Sequence, residues 1–157
     1  MRLLSAAMSA LSVALLGAAG AHADPCKSVD APIVTTFTVC APGESPLGIC
    51  TEGAIDSGLL QGTTRFAVQT MTSAGNDVLY TGVLTITTKS GTVTIDDFGV
   101  LDPATGQFFE LEQVVSGTGR FKRSSGTLIS RGVETATGFT GTITGALCHF
   151  NEGRSDR

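Results

Sequence analysis

From residue 24 onward, apolar residues alternate with threonine, serine and charged residues, and no helical periodicity stands out. A period of two is typical of β-strands that bury one face. Turn residues separate the alternating runs, as at Lys89-Ser90-Gly91, which is a tight hairpin signal. The pattern predicts about eight strands, at residues 33–39, 49–55, 63–71, 78–88, 92–101, 107–115, 127–133 and 139–148.

Short turns join these strands, and no long crossover connection separates them. A long antiparallel meander must protect its edge strands, and closure into a barrel removes them. We therefore predict an all-β fold, an eight-stranded antiparallel up-and-down β-barrel, with a two-sheet β-sandwich as the alternative. The domain is expected to cover residues 24–150, followed by a flexible polar tail at residues 151–157.

The strand at residues 107–115 shows why register matters. Its even-numbered residues share one face and its odd-numbered residues the other, and both faces carry apolar side chains. Glu110 and Glu112 therefore point the same way. The alternation alone does not say whether that face is the inside or the outside of the barrel.

The N-terminus has the organisation of a secretory signal. A basic start, Met1-Arg2, precedes a short apolar run and the small-x-small sequence Ala21-His22-Ala23. We predict that residues 1–23 are a cleavable signal peptide, which makes the protein secreted or periplasmic. The apolar run is too short for a good membrane span, so no span is expected after cleavage.

The four cysteines predict two disulfides, because an even count is typical of exported domains. Three connectivities are possible, and we favour Cys40–Cys50, which closes a proline-rich loop, and Cys26–Cys148, which ties the chain ends together. The spacing between Cys40 and Cys50 does not suit zinc, and His149 is the one histidine after the signal. Neither a metal nor a cofactor is predicted.

Several Thr/Gly-rich segments follow one another in a characteristic order. They are residues 79–88 (LYTGVLTITT), 99–102 (GVLD) with Thr105-Gly106, 117–121 (GTGRF), 126–128 (GTL) and 139–148 (FTGTITGALC). Over roughly residues 50–148 the chain resembles small exported bacterial proteins related to the allene oxide cyclase and dirigent barrels. The resemblance implies an eight-stranded barrel with an apolar cavity, a possible homo-oligomer, and relatives that cyclise or steer reactive lipid or phenolic intermediates. The resemblance does not identify any catalytic residue in this chain.

The acidic residues Asp96, Asp97, Glu110 and Glu112 lie in two strands that should be hairpin neighbours. A carboxyl group that faced the lumen would lose solvation, and its raised pKa would suit a general acid or base. We favour the simpler interpretation, in which these groups face water as solubility charges.

Three further side chains could reach a ligand. Arg65 and Arg131 lie within predicted strands, where an inward guanidinium could pair with a carboxylate, although we favour the surface for both. Tyr80, the only tyrosine, shares a face with apolar residues and is expected to pack in the core. A phenol that reached a cavity could donate a proton or a hydrogen bond.

Charge and composition exclude several functions. A formal net charge of −4 makes nucleic acid a poor partner, and one histidine near the tail makes a Ser-His-Asp triad improbable. We prefer a binding protein that holds a small apolar or amphipathic ligand in its lumen, because small barrels either fill with side chains or enclose one ligand. The ligand-binding candidates are Tyr80, Asp97, Glu110, Glu112, Arg65 and Arg131.

Two alternatives remain open. One is a cyclase- or isomerase-type enzyme that uses a buried carboxylate or Tyr80, and an inward Glu110 or Asp97 in an open cavity would favour it. The other is a structural or interaction module, which a filled core and an exposed apolar patch would favour.

Overall fold

The computed structural model describes residues 26–149, so the predicted signal at residues 1–23 and the tail at residues 151–157 lie outside the described part of the chain. Within it, eight strands form a closed barrel in sequence order. The strands are β1 (Lys27–Thr38), β2 (Cys50–Ile55), β3 (Gly62–Ala74), β4 (Asp77–Thr88), β5 (Gly91–Leu101), β6 (Gln107–Gly117), β7 (Ser125–Thr135) and β8 (Gly138–Cys148).

The barrel closes through the pairing of β1 with β8. This antiparallel ladder runs from Lys27 opposite Leu147 to Thr36 opposite Gly138. Each of the other strands pairs antiparallel with its neighbours in sequence. The predicted barrel is therefore confirmed over the two-sheet alternative, because every strand of the described residues has a paired neighbour on both sides.

Strand β1 is the element whose predicted boundary differs most. It begins at Lys27, six residues before the predicted start at Ile33. Pro32 interrupts the strand signal, since proline cannot donate a ladder hydrogen bond. In the structure the alternation nevertheless continues through it, with Val29 and Ala31 buried.

One end of the barrel, here termed the closed end, is filled by side chains. Strand β1 starts there, and β8 ends there. Leu60 in the β2–β3 connection and Phe121 in a short 3₁₀ turn, Gly119–Phe121, are fully buried at this end. The apolar cluster around them consists of Val29, Ala31, Ile33, Ile55, Leu84, Ile86, Val93, Ile95, Val114, Leu128, Ile143 and Leu147.

The two predicted disulfides are present. Cys26–Cys148 ties β8 to the residue before β1, and Cys40–Cys50 closes the loop before β2. Paired cysteines are typical of proteins in an oxidising compartment. Among residues 26–149, no helix is long and apolar enough to cross a bilayer.

Candidate functional site

The opposite end of the barrel, here termed the open end, holds a cavity of about 200 Å³. Its mouth lies among Phe37, Met71 and Glu134, which are exposed. Its walls are largely apolar, and they include side chains from β1, β3, β4, β6 and β8. The barrel is therefore packed at one end and hollow at the other.

Glycines opposite aromatic residues shape this cavity. Tyr80 on β4 pairs with Gly99 on β5, and a Cβ atom on Gly99 would lie 2.2 Å from Cζ of the Tyr80 ring. Gly82 makes room in the same way for Phe66, whose Cζ atom would be 2.1 Å from an added Cβ. Only glycine lets these rings lie across the neighbouring strand.

The aromatic side chains form two groups along the cavity wall. Phe66 and Tyr80 meet edge to face, with ring centroids 6.3 Å apart. Phe139 contacts both Phe37 and Phe108 edge to face, at centroid distances of 5.5 Å and 5.4 Å. Such contacts are favourable beyond the area they bury, so they hold the wall in a defined shape.

Three acidic residues extend into the lumen and form the carboxyl cluster, Asp97, Glu110 and Glu112. Asp97 on β5 pairs with Glu112 on β6, and Glu110 lies two residues before Glu112 on the same face. One carboxylate oxygen from each residue lies within 4.8 Å of the other two. Asp97 is 4% exposed, Glu112 is 0% exposed, and Glu110 keeps some contact with solvent.

The hydrogen bonds of the carboxyl cluster are incomplete. The Tyr80 hydroxyl donates to Oε1 of Glu110 at 2.8 Å, and the Ser130 hydroxyl donates to Oε1 of Glu112 at 2.8 Å. Both oxygens of Asp97 and Oε2 of Glu112 are buried without a partner among the described residues. Buried polar atoms without partners are costly, so this cluster is suited to holding protons or a ligand.

Burial controls the protonation of the carboxyl cluster. It raises the pKa of Glu112 to about 8, assisted by the charge of Glu110. Burial also raises the pKa of Asp97, together with the neighbouring glutamate charges, and that of Glu110, where the Tyr80 hydrogen bond opposes it. The pKa of Tyr80 is raised above its usual value as well, mainly by burial. Near neutral pH the cluster therefore retains protons, and Tyr80 remains a phenol.

The prediction that the acidic residues face water was wrong for Asp97, Glu110 and Glu112 and was confirmed for Asp96, which is exposed. Asp97 continues an inward series on β5 that begins with the buried residues Val93 and Ile95. That period-two series was the sequence signal that could have placed Asp97 inside the barrel.

The two arginine candidates do not line the cavity, and the surface position that we favoured for both is confirmed. Arg65 makes a bidentate pair with Glu44, with N–O distances of 2.6 and 2.7 Å, on the outside of β3. Hydrogen bonding to Arg65 lowers the pKa of Glu44 to about 2. Arg131 is exposed and pairs across strands with the outward-facing residues Phe109 and Thr142.

Tyr80 is buried, as predicted, and its hydroxyl also reaches Glu110. Sequence reasoning missed the phenylalanines of the cavity wall and the hydrogen bond from Ser130 to Glu112. Phe108 was recognised as sharing a strand face with Glu110, but the alternation did not say that this face lies inside the barrel. Ser130 gave no signal, because its role depends on the pairing of β6 with β7.

No protein-family model matches the chain, and no curated protein is significantly similar to it in sequence.

Proposed function

We propose that the barrel binds one small amphipathic molecule in its lumen. The apolar body of the ligand would lie against the aromatic walls, and its polar end would face the carboxyl cluster. One observation carries this proposal: the largely apolar cavity of about 200 Å³ is lined by Asp97 and Glu112, three of whose buried carboxylate oxygens have no partner among the described residues. An eight-stranded barrel has room for side chains or for one small ligand, and the open end supports the second use.

The size of the cavity suits a molecule of about one ring. An apolar cavity of about 150 Å³ is enough to bind benzene. Burying one aromatic ring contributes about 2–3 kcal/mol, which alone corresponds to weak binding. Affinity and selectivity would therefore depend on the polar end of the ligand and on the carboxyl cluster.

Blocking the cavity tests this proposal. Thr51 is buried and lines the cavity, whereas Thr142 is exposed on the outside of β8. We expect Thr51→Phe to abolish saturable binding of 2-phenylethanol in an NMR titration, because the new ring fills the lumen. The matched control, Thr142→Phe, should bind like the wild type.

Native mass spectrometry of the protein from its own host complements the titration. A retained small molecule that disappears in Thr51→Phe and persists in Thr142→Phe would support lumenal binding. Equal retention by both variants would place the site elsewhere. Wild-type protein that carries no molecule and shows no saturable binding would refute the proposal.

The two disulfides support export as part of the same proposal. We expect the mature protein to begin at Asp24, and N-terminal sequencing tests this directly. An intact residue 1 in protein isolated from the cells and the medium would contradict it.

A second candidate is an acid–base enzyme of the cyclase or isomerase type. The observation that favours it is the position of Glu110, which faces an open cavity beside the Tyr80 hydroxyl. Burial raises the pKa of Glu110 toward neutrality, to about 7, where a general acid or base works best.

Proton transfer by Glu110 can be tested without the natural substrate. A small enolisable ketone in deuterated water should exchange its α-hydrogens faster with the wild type than with Glu110→Gln, as followed by NMR. Asp96→Asn, which changes an exposed carboxyl, should keep the wild-type exchange rate. Exchange equal to that of buffer alone would argue against the enzyme and would leave the binding proposal standing.

A further inference from the structure

We propose that the lumenal ligand is a small hydrophobic amine, whose ammonium group donates hydrogen bonds to the carboxyl cluster of Asp97, Glu110 and Glu112. This inference rests on the proposed lumenal binding and names the chemical class of the ligand.

The charges that face the cavity are all acidic. Its lining contains the carboxyl cluster and, at the mouth, Glu134, and no lysine or arginine is among the lining residues in the described part of the chain. Arg65 and Arg131 lie on the outer surface. A ligand with a carboxylate or phosphate would find no cationic side chain in this lining to pair with, whereas a cation would stabilise the ionised form of the carboxyl groups.

The geometry of the carboxyl cluster matches an ammonium group. Because the three oxygens lie within 4.8 Å of one another, a point in their plane exists that is no more than about 2.8 Å from each of them. Charge-assisted N–H···O bonds have this length, and a primary ammonium has three donors. Both Asp97 oxygens and Oε2 of Glu112 are buried and lack partners among the described residues, so they are available as acceptors.

A bound ammonium group would also compensate the negative charge that the buried carboxyl cluster carries when it is ionised. Without a ligand, burial favours protonated carboxyl groups. A bound ammonium would stabilise the ionised form, so a proton would pass from the cluster to solvent. Tyr80 remains neutral, and Glu134 lies at the exposed mouth. Affinity should therefore rise from about pH 6 to pH 8, as the cluster loses its protons more readily.

The apolar walls argue for an organic cation over a metal ion. Phe66, Phe108 and Phe139 line the cavity together with the carboxyl cluster and offer an apolar surface to a hydrocarbon group. A divalent cation would use oxygens at about 2.0–2.6 Å and would leave these walls without a partner. A hydrophobic amine would use both parts of the site.

Three probes that share one aromatic ring test which charge the site prefers at the polar end of its ligand. Phenethylamine, 2-phenylethanol and phenylacetate carry a cationic, a neutral and an anionic polar end. In calorimetry at pH 7.5 we expect the amine to bind at least about tenfold more tightly than the alcohol, since hydrogen bonds between charged groups are the stronger ones. Phenylacetate should not bind measurably. Repeating the amine titration in buffers of different ionisation enthalpy should reveal proton release.

A pair of adjacent variants provides the matched control. Asp97→Asn should weaken amine binding at least about tenfold and change alcohol binding little, because it removes one charged acceptor. Asp96→Asn changes the exposed neighbour and should leave both affinities unchanged.

Each contrary result has a distinct meaning. Equal binding of the amine and the alcohol would overturn the inference and leave lumenal binding intact. No saturable binding of any probe would overturn both. If Ca²⁺ or Mn²⁺ binds, this binding is lost in Asp97→Asn, and the amine shows no preference over the alcohol, the result would identify a metal ion as the ligand and overturn the amine. A decrease in amine affinity as the pH rises from 6 to 8 would also overturn the inference.

Discussion

Replacing Asp97 with asparagine should stabilise the folded protein near neutral pH. The side chain is 4% exposed and neither carboxylate oxygen has a partner among the described residues, so the folded state favours its protonated form. The unfolded chain ionises the same group near its ordinary value of 3.8. Folding therefore takes up protons above that pH, and this cost increases as pH rises toward the raised pKa of the folded state. Asparagine has nearly the same shape and does not ionise.

The size of the effect follows from the linkage of protonation to folding. Each proton that the folded state retains lowers the free energy of unfolding by about 1.4 kcal/mol for every pH unit above the pKa of the unfolded state. For Asp97 at pH 7 this sets an upper limit of about 4 kcal/mol. Since Glu110 and Glu112 share protons with it, we expect Asp97→Asn to recover about 2 kcal/mol. At pH 4 the wild type and the variant should be nearly equal in stability.

Urea unfolding with intact disulfides, measured at pH 4, 5.5 and 7, tests this prediction. The free energy of unfolding of the wild type should decrease as pH rises, and Asp97→Asn should flatten that dependence. Asp96→Asn, at the exposed neighbouring position, should follow the wild type within about 0.5 kcal/mol. A variant less stable than the wild type at pH 7, with an unchanged pH dependence, would refute the argument that Asp97 is buried and protonated.

Three further predictions concern the aromatic wall and the covalent frame. Gly99→Ala should destabilise the protein by about 1–3 kcal/mol and alter the near-ultraviolet circular dichroism of Tyr80, because the new methyl group overlaps its ring; an unchanged spectrum and stability would contradict this. Tyr80, the single tyrosine, should not ionise at its usual pH until the barrel unfolds, and a reversible ultraviolet titration near pH 10 in folded protein would show that its phenol is solvated. Replacing the Cys26–Cys148 pair with serines should lower the free energy of unfolding in urea by about 5 kcal/mol, and replacing the Cys40–Cys50 pair should lower it by about 3 kcal/mol. The first disulfide contributes more because it closes the longer loop. The opposite order would show that loop length does not govern their contributions.

The local pattern of the chain was sufficient for the strands and the barrel. The period of two, the turn residues and the absence of a crossover segment are properties of short segments, and they predicted all eight strands within a few residues, apart from the start of β1 at Lys27. The favoured disulfide pairing was also confirmed, since a barrel closed by its first and last strands brings Cys26 close to Cys148.

The candidate site required the tertiary structure. On β6 the apolar residues Phe109 and Leu111 point outward and remain about half exposed, while Glu110 and Glu112 point inward. When a strand has apolar residues on both faces, its alternation pattern does not distinguish the inner face from the outer face. The neighbouring strands then decide which face is buried. The carboxyl cluster forms because β5 and β6 pair in a register that sets Asp97 opposite Glu112, and because β4 brings the Tyr80 hydroxyl to Glu110. These contacts join residues on different strands, and the alternation within any one strand carries no information about them.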